Sequence, residues 1–169
     1  MKAKKLTTMA LLSAIALTIF VIEAQIPTVV PVPGVKLGLA NIVTVYAVYA
    51  LGAGEGAAIL FVRIFLGAVY SGNFGTVLYS AAGGFLAILT TIGLKAVLKE
   101  NQIWVAGCFG AIAHSVGQMI VAIWATATPS LLIYLPVLIF CSVIAGIFTG
   151  LCAQLLLKRG KNLWKTIFK

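Results

Sequence analysis

Aspartate is absent from this 169-residue chain, and its negative charge rests on three glutamates, Glu23, Glu55 and Glu100. Enzymes that hold magnesium on a diphosphate need carboxylate clusters, and three scattered glutamates do not make one. Histidine occurs once, as His114, so a histidine-built metal centre is not expected and a Ser/His/acid triad lacks its orienting acid. The three cysteines, Cys108, Cys141 and Cys152, have no C-x-x-C spacing and read as small buried hydrophobes. A Walker loop is missing, so any use of ATP belongs to another subunit. No enzyme activity, cofactor or metal is expected of the chain itself. Charged residues make up 9% and hydrophobic ones 62%, whereas a soluble domain carries about a quarter charged residues. A soluble domain is excluded.

What the chain has is six long apolar stretches separated by short polar gaps. Ten of its twelve basic residues fall in alternate gaps. Lys2, Lys4 and Lys5 precede the first stretch, Lys95 and Lys99 follow the fourth, and Lys158, Arg159, Lys161, Lys165 and Lys169 follow the sixth. The positive-inside bias places those gaps and both termini in the cytoplasm. The fold class expected is an all-α membrane protein: one domain, residues 1–169, with six transmembrane helices in the plasma membrane. The net charge of +9 then reflects contact with anionic lipid headgroups. No basic patch is interleaved with aromatics in the manner of a nucleic-acid surface, so nucleic acid is not an expected partner.

The spacing predicts helices over residues 6–24, 37–51, 57–70, 76–98, 103–127 and 131–157. The first stretch follows a basic start like a signal peptide, but it is long and no A-x-A site follows, so it is kept as a membrane helix. Pro27, Pro31, Pro33 and Gly34 make residues 25–36 an extended outer loop. Residues 52–56 make an inner turn. Helices two and three are short for a hydrocarbon core of about 30 Å, so they insert part-way or flank a solvated cavity. Residues 158–169 read as a basic interfacial tail.

Threading fixes depth. Glu23, Lys36, Asn41, Asn73 and Tyr79 fall toward the outside, Arg63 and His114 fall near the middle, and Gln118 lies one turn further out than His114. The inner half is expected to be almost wholly apolar. A central arginine costs about 2.5–3.5 kcal/mol to insert, so Arg63 must face the interior with a partner, either Glu23 or the anion of a ligand. His114 and Gln118 share one helix face by their i, i+4 spacing and are either a packed pair or a ligand-reading edge. Asn41 and Asn73 serve equally well as a helix-to-helix bond and a helix cap. Ala10 and Ala14 form a small-xxx-small face on helix one.

Four stretches resemble the Gx transporter family, whose members are often labelled heptaprenyl diphosphate synthase component I. They are Gly34-Val35-Lys36-Leu37-Gly38-Leu39-Ala40-Asn41, Arg63 through Gly67, Ser80 through Gly84, and Ala113-His114-Ser115-Val116-Gly117-Gln118. Ser115 stands directly after the histidine, where members often carry asparagine. That family is similar in size and span count to the substrate-binding S components of energy-coupling factor (ECF) importers. The resemblance implies an S-component-like bundle that binds a small vitamin-like molecule near the outer face: a flavin, a quinone precursor or an isoprenoid. It also implies that Ala10 and Ala14 meet a transmembrane coupling subunit powered by ATPases. The expected ligand-binding set is Glu23, Lys36, Asn41, Arg63, Asn73, His114 and Gln118, with Tyr46, Tyr79 and Trp124 stacking on an aromatic ring. Lys36 and Arg63 favour an anionic group. The other class considered is a membrane accessory subunit of polyprenyl diphosphate or quinone synthesis, or of flavin-linked electron transfer.

Overall fold

The computed structural model describes residues 2–26, 36, 38–72 and 75–167. These form six α-helices: α1 (Lys2–Ala24), α2 (Asn41–Ala50), α3 (Ala53–Ser71), α4 (Gly75–Lys95), α5 (Ile103–Thr126) and α6 (Leu135–Ile167). One 3-10 turn, Glu100–Gln102, leads into α5, and a second, Pro129–Tyr134, leads into α6. Among the described residues there is no strand.

Five of the helices are long and apolar enough to cross a membrane. At 1.5 Å per residue, helices of 19 to 33 residues rise ~28 to ~50 Å, against a hydrocarbon core of about 30 Å. Their outward faces are apolar: Phe61, Phe65 and Tyr70 on α3, and Phe140, Ile144 and Phe148 on α6, are all exposed. In water such a surface would aggregate, whereas in lipid it is the ordinary exterior. The chain is a membrane protein.

The six-span expectation needs one correction. The second helix is not residues 37–51 but the ten residues Asn41–Ala50, about 15 Å long, half of a crossing. Its start is set by Gly38, whose φ of +79° leaves the helical region. Its end is set by Gly52 at φ +130°, which turns the chain directly into α3. That third helix starts four residues earlier than expected, because Gly54 and Gly56 are helical. A Cβ on Gly56 would meet Val48 at 2.5 Å, so glycine there lets α2 and α3 lie in close contact. Through the tail, α6 continues unbroken to Ile167, past the expected end of the sixth helix. The side chains of residues 161–169, the loop 27–35, and Asn73 lie outside the described set.

The bundle is built around α5, the most enclosed helix. Glycines bring its neighbours in close. A Cβ on Gly107 would lie 2.5 Å from the Gly150 Cα, and one on Gly146 would lie 2.7 Å from the Cys108 Cα. So α5 and α6 meet backbone to backbone, through the G-x-x-x-G spacing of Gly146 and Gly150. On the other side, a Cβ on Gly117 would lie 2.7 Å from the Ala82 carbonyl oxygen of α4. Ser115 and Ser142 hydroxyls lie 2.6 Å apart across α5 and α6. The Ser142 proton is committed to the Leu138 carbonyl at 2.6 Å, so Ser115 is the donor. Ser115, the residue after His114, therefore forms a helix-to-helix bond.

At the opposite end of α2 from Asn41, Lys95 donates to the Val48 carbonyl at 2.6 Å and sits beside the Tyr49 ring. A cation there complements the negative end of the helix dipole. Lys5 of α1 pairs with Glu55 of α3 at the same end of the bundle. A small crevice there is lined by Tyr49, Glu100, Ile103, Gln154, Leu157 and Lys158, and Gln154 is buried.

Candidate functional site

Glu23 ends α1, and its carboxylate accepts the Gly38 backbone N–H at 2.5 Å. The left-handed Gly38 lets the chain pass close enough for this: a Cβ there would stand 3.0 Å from both Asn41 Nδ2 and His114 Cδ2. Asn41 opens α2 immediately after this turn. Two residues before Gly38, the Lys36 N–H donates to Gln118 Oε1 at 3.1 Å, and the Lys36 ammonium lies 3.8 Å from the centroid of the Phe20 ring. That cation–π contact and the backbone bond pin the chain entering α2 onto α1 and α5. Burial lowers the Lys36 pKa from its ordinary value, while the nearby Glu23 charge works in the opposite direction and Arg63 adds to the lowering.

Arg63 comes from the middle of α3 and is 3% exposed. It lies close enough to feel the Glu23 charge, and its own charge acts on His114. His114 packs against α4 where Gly83 leaves room, since a Cβ there would be 2.8 Å from His114 Nδ1. The structure therefore gathers Glu23, Lys36, Asn41, Arg63, His114 and Gln118 from α1, the chain before α2, α2, α3 and α5 into one buried polar cluster. Gly83 of α4 closes it.

The cluster is not self-satisfied. Asn41 Nδ2 and Oδ1, Arg63 Nε and Nη2, and His114 Nδ1 are buried with no hydrogen-bond partner among the described residues. An unmade bond of a buried group costs about 1–3 kcal/mol. Five such atoms together approach the whole net stability of a small domain. Polar groups held this way are characteristic of a site completed by something other than the chain.

The aromatic residues do not join them. Tyr46 packs on the Val45, Ile103 and Ala153 cluster, and Tyr79 packs on Met119, Ala122 and Leu138. Trp124 is 75% exposed on α5, a position suited to the membrane interface. Ala10 and Ala14 are exposed on α1 and line an apolar groove of about 400 Å³ whose other wall is α3, with Ala58, Val62 and Leu66. Sequence reasoning missed Gly38 and Gly83 as residues that shape the site. Their signal was the φ and the close approach, neither of which periodicity carries.

Gly83→Ala tests the packing of His114. Its Cβ would also stand 2.8 Å from the His114 carbonyl oxygen, so backbone as well as ring must shift. The expected result is a loss of about 1–3 kcal/mol of stability and a weakened site, read by thermal melting and by the amount of co-purified small molecule.

No curated protein and no solved structure matches the chain. Its sequence does match a family profile, that of heptaprenyl diphosphate synthase component I, over residues 12–156. That stretch runs from α1 into α6 and includes every residue of the buried cluster. The chain belongs to the heptaprenyl diphosphate synthase component I family and is a membrane protein of it.

Proposed function

We propose that this chain is the substrate-binding subunit of an ECF-type importer in the plasma membrane. It captures a small vitamin-like molecule, and a partner complex carrying ATPases supplies the energy. The chain catalyses no reaction of its own. The observation that carries this reading is the buried cluster of polar atoms from Asn41, Arg63 and His114 that have no hydrogen-bond partner among the described residues. Five of the eight such atoms among the described residues fall in this one cluster, the others being Thr44 Oγ1, Tyr49 Oη and Gln154 Oε1, and buried polar groups ordinarily find partners.

Orientation supports uptake. Lys5 and Lys95 sit at the bundle end away from the cluster, in gaps that the positive-inside bias assigns to the cytoplasm. The cluster then lies on the exterior side of the bundle, with both termini inside. The groove under Ala10 and Ala14 supplies a small-residue face on which a transmembrane coupling subunit can dock without displacing bulky side chains.

A second reading has one observation in its favour, the family's own description as a synthase component, a term that implies further subunits. In that case the chain scaffolds a soluble prenyltransferase through its basic cytoplasmic surface. Affinity purification in mild detergent separates the two. The importer reading expects an ATPase-bearing complex, and Ala10→Leu with Ala14→Leu should reduce its recovery about tenfold or more while the chain itself still folds. Recovery of a prenyltransferase without ATPases would overturn it.

A further inference from the structure

We infer that the ligand is an organic monoanion in which a carboxylate, seated on one edge of Arg63, adjoins an amide or lactam edge read by Asn41. This rests on the ligand-binding half of the function proposed above and adds the chemical class. Nε and Nη2, the two atoms of Arg63 without a partner among the described residues, are neighbours on the same side of the guanidinium. Together they form the side-on fork that accepts both oxygens of one carboxylate. A lone hydroxyl or carbonyl would fill half of it.

The charge count agrees. Lys36 and Arg63 bring two positive charges, and Glu23 brings one negative charge already engaged by the Gly38 N–H. One positive charge is left over, which a monoanion neutralises and a dianion overshoots. The start of α2 adds to the attraction. This half-length helix begins at Asn41 with no side-chain cap, so the positive end of its dipole points into the cluster.

Asn41 supplies the second contact. Its amide nitrogen and oxygen are both unpartnered and buried at 5% exposure. An amide with both atoms free matches a donor beside an acceptor, which is the edge of a lactam or a primary amide. Asn41 and His114 flank the same face of Gly38, and His114 is the residue that feels Arg63. Asn41, His114 and Arg63 are thus members of one cluster, which is the placement the two contacts require.

The test uses the purified full-length chain in detergent, with thermal unfolding read against five probes at equal ionic strength. Pyroglutamate carries both a lactam and a carboxylate. Cyclopentanecarboxylate carries the acid alone, 2-pyrrolidone carries the lactam alone and should stabilise less than pyroglutamate, inorganic phosphate is the competing anion, and sodium chloride is the baseline. Stabilisation should rank pyroglutamate above cyclopentanecarboxylate, and cyclopentanecarboxylate above chloride. Arg63→Lys keeps the charge but loses the fork, and should weaken apparent affinity for both acids on the order of tenfold. Asn41→Leu should remove the advantage of pyroglutamate over cyclopentanecarboxylate and leave the acid response intact. If cyclopentanecarboxylate stabilises no more than chloride, or inorganic phosphate outranks both acids, the inference is wrong. These wild-type comparisons hold even where a variant fails to fold. A carboxylate response without ATPase recovery would sink the importer reading alone; the reverse outcome would sink this inference alone.

Discussion

Arg63→Met is expected to give a protein that melts higher than wild type when ligand-free and retains no small molecule. Arg63 is buried at 3% exposure in the middle of a membrane-length helix, where a guanidinium costs about 2.5–3.5 kcal/mol to insert. Two of its donors have no partner among the described residues, which adds about 1–3 kcal/mol for each. Methionine keeps the unbranched shape and removes both costs. Glu23 is not stranded by the change, because the Gly38 N–H still donates to it and the Lys36 charge stays nearby. The net gain should be about 1–3 kcal/mol, visible in a detergent melt of ligand-free protein. Native mass spectrometry of gently purified wild type and variant reads the other half, with a bound mass expected in the first and none in the second. A variant that melts lower by a similar amount would show that Arg63 exists to hold Glu23, and the binding reading would lose its central residue.

The sense of that prediction, a polar cluster maintained against stability, explains why the cluster was legible in the sequence. In an apolar run, a charged or amide side chain has one tolerable direction, toward the interior. Depth can be counted along each stretch. Glu23, Asn41, Arg63, His114 and Gln118 thus declared both their height and their facing before any contact was known. Lys36 was placed by its position beside the second stretch. The aromatic residues carried no such constraint. A tyrosine or tryptophan is content in a core, in a site or at the headgroups, and Tyr46, Tyr79 and Trp124 proved to stand apart from the cluster.

Helix boundaries followed the same division. The fifth helix came out within one residue of expectation at each end, because one long apolar run with polar ends admits little else. The second lost four residues at its start and one at its end. Its limits depend on two left-handed glycines, Gly38 and Gly52, and neither is distinguishable by composition from Gly54 or Gly56, which continue a helix. That distinction is made by tertiary contact, Gly38 by its approach to Asn41 and His114, and Gly56 by its contact with Val48. The short α2 also shapes the cluster, because the half-length helix delivers Asn41 and a helix N-terminus to the residues around Arg63 and His114.

Gly146→Leu should be the most damaging single change away from the site. A Cβ at this position would lie 2.7 Å from the Cys108 Cα and 2.8 Å from the Gly107 carbonyl oxygen. Both obstacles are backbone, so no rotamer change relieves the clash; α5 and α6 must separate. Separation also stretches the Ser115–Ser142 hydrogen bond, 2.6 Å in the intact protein. With no hydrophobic drive between helices in lipid, close backbone packing is what holds such a pair, so the loss should be about 3 kcal/mol or more. Gly93→Leu on α4 is the matched control. Nothing lies within 4 Å of a Cβ there, and leucine is a better helix former than glycine, so its melt should equal or exceed that of wild type. The two variants add the same side chain to helical glycines in the same bundle, so hydrophobicity and helix propensity cancel in the comparison. A Gly146→Leu protein that melts like Gly93→Leu would mean that α5 is free to move relative to α6. His114 and Gln118, which ride on α5, could not then be held against Asn41 and Arg63 by this packing.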